Sequence, residues 1–165
     1  MKALSILFAL ICISVPATAG DARALLVRLL GDWRAQGEAF GRPAHSFMTW
    51  TSHLDGRFMR LDYRIEMARD ADTRSEFQGV AYYDTDSTGP FDAFWADSSG
   101  DLHPIAATRD GDALVAHWGM DGHKQGRTRY ELLDADRIEV TDWIKTPEGW
   151  RQFNQAVFAR VGGGR

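Results

Sequence analysis

Five histidines, His45, His53, His103, His117 and His123, are the first residues to test for chemistry. Imidazole ligates metals and moves protons near neutral pH. His117 and His123 flank a tight turn and could approach across it, with Asp121 nearby. A zinc centre takes about four ligands in tetrahedral geometry. This cluster supplies fewer, close to solvent, so no metal site is expected. Arg60, Asp62, Arg64 and Glu66 alternate along one segment. Turned inward, Arg60 and Arg64 would suit a carboxylate headgroup; turned outward, they form a solvated stripe, which is the simpler reading. The two acids are a poor acid/base pair, because a neighbouring arginine lowers a carboxyl pKa. Arg127 and Arg129 could likewise orient a polar end of a ligand. The third group is aromatic: Trp50, Phe77, Tyr83, Phe94, Trp95, Trp118, Tyr130, Trp143, Trp150 and Phe153. Such rings either line a pocket or fill a core.

Other chemistry finds little support. Asp84-Thr85-Asp86-Ser87-Thr88-Gly89 opens like a calcium loop, but the twelfth position is Trp95 where a glutamate is required. The segment reads as a hairpin turn. There is no G-x-S-x-G, and Ser98-Ser99-Gly100 reads as a turn. Gly162-Gly163-Gly164 is a tail and not a phosphate loop opening a helix. No catalytic residues are assigned.

These side chains must be positioned by strands. Asp21 to Leu30 reads as a short helix, with Leu25, Leu26, Leu29 and Leu30 on one face, Asp21 as cap and Gly31 as stop. Beyond it the chain is a succession of strand-like runs separated by turn dipeptides: Asp55-Gly56, Ser99-Gly100, Asp110-Gly111, Asp121-Gly122 and Glu148-Gly149. The expected strands are 32–40, 44–54, 57–68, 73–84, 91–98, 101–108, 112–119, 125–133, 136–145 and 149–161. In the third, Met59, Leu61, Tyr63, Ile65 and Met67 share a face. In the ninth, Ile138, Val140 and Ile144 do, broken only by Asp142. In the tenth, Phe153, Val157 and Val161 do. Consecutive hairpins make an antiparallel meander, and a meander this long must curl to remove its edges. The expected fold is all-β, a ten-stranded up-and-down antiparallel barrel with a short N-terminal helix. A two-sheet sandwich is the rival, but it needs long crossovers and few connections are long enough. Ten strands enclose more room than a small barrel's side chains fill, so a ring-lined cavity is expected beside the alternative of a filled interior.

The chain begins with Lys2, an apolar run over 3–15, and Ala17-Thr18-Ala19. That order is a secretory signal with cleavage after Ala19. The run is too short for a membrane span, which needs about 20 residues. Residues 1–19 are therefore read as a leader and 20–165 as one domain, exported to the periplasm or the extracellular medium. Cys12, the single cysteine, leaves with the leader, so the mature domain has no disulfide and no thiolate chemistry. The formal charge of the whole chain is −4, and there is no basic run or stripe, so nucleic acid is not an expected partner. No membrane-spanning segment follows the leader. The number of chains in the assembly has no signature in the sequence.

Helix, Gly31-Asp32-Trp33, a meander of hairpins, and a last strand ending Phe158-Ala159-Arg160 resemble the calycin superfamily of lipocalins, fatty-acid-binding proteins and nitrobindins. They also resemble a bacterial domain-of-unknown-function group of the same build, family 1579. The resemblance covers nearly all of the chain after the leader and rests on a short motif. It implies that Trp33 lies on the first strand at the closed end of a barrel with Arg160 packed over its ring. Gly31 allows the sharp turn from helix to strand. It also implies a small apolar or amphipathic ligand inside, contacted by Trp95, Trp118 and Tyr130 and oriented by one or two of Arg60, Arg64, Arg127 and Arg129. Nitrobindins hold haem through a histidine near the C-terminus. The last strand here has none, and His117 is the best substitute if it faces inward; a hydrogen-bonded barrel histidine is the simpler reading. A scaffold without a small ligand, binding partners at its rim, is the third possibility.

Overall fold

A computed structural model describes residues 19–68, 74–86 and 90–162. The expected leader lies outside the described residues except for Ala19, as do residues 87–89 of the calcium-like turn and residues 163–165 of the tail. One helix, α1 (Ala19–Leu29), precedes ten strands: β1 (Gly31–Ala39), β2 (Arg42–His53), β3 (Phe58–Ala68), β4 (Arg74–Asp84), β5 (Phe91–Asp97), β6 (Leu102–Asp110), β7 (Ala113–Gly119), β8 (Gln125–Leu132), β9 (Arg137–Thr146) and β10 (Gly149–Arg160). Each strand bound falls within two residues of its expected place.

Every sequential pair of strands is antiparallel, and β10 returns to pair with β1, closing the barrel. The up-and-down barrel is thus the fold, and the sandwich is excluded. Closure is made at the α1 end, where Trp33 pairs with Arg160 and Arg34 with Ala159, and it joins the two edges that a meander otherwise exposes. Alternation sets the interior. Met59, Leu61, Ile65 and Met67 of β3 are buried, as are Met48 and Trp50 of β2 and Ile138 and Val140 of β9.

One end is sealed. Leu25, Leu26 and Leu29 of α1 are 1% exposed or less and pack with Trp33, Leu114, Ile138 and Phe158. Gly31 turns the chain with φ of 116°, a value strained for any residue with a side chain. Trp33 then drops into the floor, and its indole N–H donates to the Leu29 carbonyl at 2.8 Å. The guanidinium carbon of Arg160 lies 3.9 Å from the centre of the Trp33 ring, as the resemblance implied. Its N–H groups donate to the carbonyls of Leu30, Arg28 (3.0 Å) and Ala135 (2.9 Å). Arg160 thereby satisfies carbonyls that the end of α1 leaves without helical partners.

The expected inward face of the last strand needs correction. The register of β10 against β9 shifts between Gln152 and Asn154, leaving Phe153 as an extra residue. Such a bulge reverses which residues face in beyond it. Asn154, Ala156 and Phe158 therefore point inward, and Val157 is left 48% exposed.

Candidate functional site

The half of the barrel away from α1 is hollow. A cavity of about 460 Å³ runs in from the end formed by the β1–β2, β5–β6, β7–β8 and β9–β10 hairpins. Phe77, Trp95, Trp118, Ile105, Val140 and Ile144 give its apolar wall, and Tyr63, Tyr83 and Tyr130 lie deeper. Phe40 and Phe153 stand exposed at the entrance. Phe40 takes φ of 52°, unusual for a bulky residue, and sets its ring edge-on to Phe77 at 6.0 Å.

Two glycines keep this space open. Trp118 of β7 lies across Gly126 of β8; a Cβ built on that glycine would fall 1.8 Å from the indole Cζ2. Trp95 of β5 lies across Gly79 of β4 in the same manner, at 1.9 Å. Each large ring is thus flattened against the wall and does not project across the lumen. Hydrogen bonds fix them: Trp95 Nε1–H donates to Asp97 at 2.8 Å, and Trp118 Nε1–H to Thr128 Oγ1 at 3.2 Å.

The polar centre of the lumen is Asp142, the residue that interrupts the apolar face of β9. Thr128 donates to one carboxyl oxygen at 2.6 Å and Asn154 to the other at 2.8 Å. Burial raises the Asp142 pKa, and these two donors only partly oppose it. Burial likewise raises the phenols of Tyr63, Tyr83 and Tyr130 well above the usual tyrosine range, with the Asp142 charge adding to the effect. Tyr83 and Tyr130 are hydrogen-bonded to each other, and Tyr63 to Ser46.

The raised Asp142 pKa fixes a pH dependence. The folded chain keeps this proton over a range where the unfolded chain has released it. Stability from this group is therefore present in acid and lost as pH rises from the ordinary aspartate range through the raised folded value. Asp101, lowered by its hydrogen bond to Lys124, and Asp134, lowered by the backbone N–H of Asp136, act in the opposite sense. Comparison with Asp142→Asn isolates the one group. Urea midpoints at about pH 4 and about pH 8 are expected to show the parent losing more stability than the variant on going to the higher pH. Equal losses in both would contradict it.

Of the residues expected to contact a ligand, Trp95, Trp118 and Tyr130 do line the lumen. The four arginines do not. Arg60 and Arg64 lie on the outer face of β3, paired with Asp62 at 2.5 Å and with Glu66 respectively, and Arg64 also covers the Phe47 ring at 4.3 Å. They border a more open concavity of about 790 Å³ on the outer wall across β1 to β5, where their charges are already matched. Arg129 pairs with Asp110 at 2.6 Å and Glu131 at 3.0 Å. Arg127 stacks outside between Trp143 at 4.3 Å and Trp150 at 5.3 Å. The reason is parity: Gly126, Thr128 and Tyr130 of β8 face in, so the arginines between them face out.

His117 is also corrected. It is exposed on the outer face of β7, 6.3 Å from the Trp150 ring, and cannot serve as an iron ligand within the barrel. The histidine that borders the lumen is His103, 3.6 Å from Asp101 and 5.3 Å from the Trp118 ring. His117, the one residue offered for the haem alternative, therefore does not fit that group. Among the described residues no group of three or more His, Cys, Asp or Glu side chains could hold a metal ion.

This geometry is that of a closed ten-stranded antiparallel barrel with a sealed floor and a hollow upper half. Among solved structures, the chain is similar to the S-type phycobiliprotein lyase CPES from Guillardia theta, with a TM-score of 0.56 and 13% sequence identity over 86% of this chain and 93% of that one. At that identity the likeness is one of fold. No family model and no curated protein matches the sequence. Among the described residues no helix is long and apolar enough to cross a membrane.

Proposed function

We propose that this chain is an exported carrier of calycin type, which holds a small apolar or amphipathic molecule in the barrel lumen. The observation that carries the reading is the ring-lined cavity of about 460 Å³ above a sealed floor. A filled interior would have favoured a scaffold. Apolar pockets with a few convergent polar groups are the usual form of small-molecule sites. Export rests on the leader-like residues 1–19, and periplasm or medium is the expected location.

Nile red added to the purified protein is expected to brighten, shift to the blue and saturate at one site per chain. Alkyl-chain compounds are expected to displace it. A bilin belongs in the same panel, because one structure of similar fold is a phycobiliprotein lyase by name. Unsaturable or absent dye binding would overturn the proposal. Replacing Arg60 and Arg64 together by glutamine is expected to change dye affinity by less than about twofold, since exposed ion pairs contribute little even to stability. A larger loss would move the site to the outer wall.

A further inference from the structure

The lumen has a chemical polarity that the positions of its charged groups decide. Near the entrance the lining carries both signs of charge. Lys124 pairs with Asp101 at 3.1 Å, and Asp97 accepts the Trp95 and Ser99 N–H groups, each at 2.8 Å. Arg151 lines the entrance on the exposed start of β10.

Deeper in, Asp142 has no ion-pair partner among the described residues. The groups that act on its carboxyl are Asn154 and Thr128, and no cationic side chain is among them. The hydrogen-bond directions are fixed by the wall. Thr128 receives the Trp118 indole N–H, so its own proton is directed to Asp142. Asn154 gives an amide proton to the other oxygen. Each carboxyl oxygen thus accepts one bond from the wall and retains a lone pair. Tyr63, Tyr83 and Tyr130 stand nearby, but each already has a hydroxyl partner. A buried carboxylate with hydrogen bonds and no cation is costly, and a cation that arrives with hydrogen-bond donors removes that cost.

We propose that the lumen selects an amphiphile whose polar end is a protonated amine, with its N–H groups on Asp142 and its hydrocarbon along Phe77, Trp95 and Trp118. This rests on the interior-binding reading and adds the sign of the headgroup. It is the reverse of a fatty-acid site: every arginine expected to meet a carboxylate faces outward, and the group that meets the ligand is itself an acid. A ligand carboxylate placed against the ionised Asp142 would be repelled and stripped of water.

The test displaces Nile red from the purified protein with dodecylammonium, dodecanoate and dodecanol, each below its aggregation threshold. Dodecylammonium is expected to displace the dye at a concentration at least about tenfold lower than dodecanoate, a preference of the size desolvated charge pairs give. Asp142→Asn is expected to weaken dodecylammonium by about tenfold and leave dodecanol within about threefold. The chain's net negative charge also attracts amines, so the single-site variant separates local from general attraction. The same headgroup order in the unaltered protein at about 0.5 M salt, where surface attraction is screened, tests the point without a substitution. Dodecanoate equal to or better than dodecylammonium, or an amine affinity untouched by Asp142→Asn, would overturn the amine assignment while leaving a lumen that binds. Failure of all three compounds and the dye to enter would bring down the interior-binding reading, and this one with it.

Discussion

Gly126→Ala is expected to close the lumen. The added methyl carbon would stand 1.8 Å from Cζ2, 2.2 Å from Cε2 and 2.3 Å from Cη2 of Trp118. A flat ring cannot yield that distance by a small shift, so it must leave the wall. The space beside it is the cavity, and an indole turned into about 460 Å³ removes much of the room a ligand would use. Overpacking of this kind costs about 1–3 kcal/mol, and alanine recovers part of that as a better strand residue than glycine. The fold should therefore survive while dye affinity falls by at least about tenfold, well beyond what a single lost methylene contact gives. Trp118 also surrenders its bond to Thr128, so the orientation of the Asp142 carboxyl loosens. Gly79→Ala is expected to do the same through Trp95, whereas Gly37→Ala, with nothing within 4 Å of the new carbon, should bind as the parent does. Adding Trp118→Leu to Gly126→Ala should restore uptake. Undiminished binding by Gly126→Ala would show that the ring does not bound the ligand space.

Arg160→Ala is expected to be the most destabilising change at the floor, at about 3 kcal/mol. Stacking on Trp33 accounts for about 0.5–2 kcal/mol, and the charged donors to three carbonyls for the remainder, since those carbonyls regain some water. The melting temperature should fall by roughly 6–12 °C at this chain length. Arg160→Lys should recover less than half, because an ammonium cannot cover the indole and fork to Arg28 and Leu30 together. Thermal unfolding followed by Trp fluorescence measures both. A loss below about 1 kcal/mol for Arg160→Ala would mean that the floor is held by α1 and Trp33 alone.

The floor was legible in the sequence because its parts lie at the ends of recognisable elements. Trp33 follows the helix stop at Gly31, and Arg160 ends the last alternating run. The facing of Arg60 was legible too, through parity. Arg60 lies between Met59 and Leu61, which mark the inner face of β3; Arg127 lies between Gly126 and Thr128, which carry no such mark, so its facing came from the structure. His117 follows the same rule beside Trp118. Asp142 was visible as a break in an apolar face, but its meaning depends on Thr128 and Asn154, which come from the two strands beside it. Asn154 reaches that place only through the β10 bulge, and no local pattern announces one unpaired residue. The roles of Gly79 and Gly126 were hidden for a similar reason. Each is set by a ring on another strand, and a glycine's use as empty space shows only when the occupant is in place.

The arginine of the floor bonds to the backbone of a residue 130 positions earlier in the chain. Its strand also supplies the wall that β1 needs. A nascent chain lacking β10 would carry two raw sheet borders and a bare indole, however much of the meander had already formed. Sealing is therefore a late event in the life of each molecule, and contacts this distant along the chain make for slow assembly.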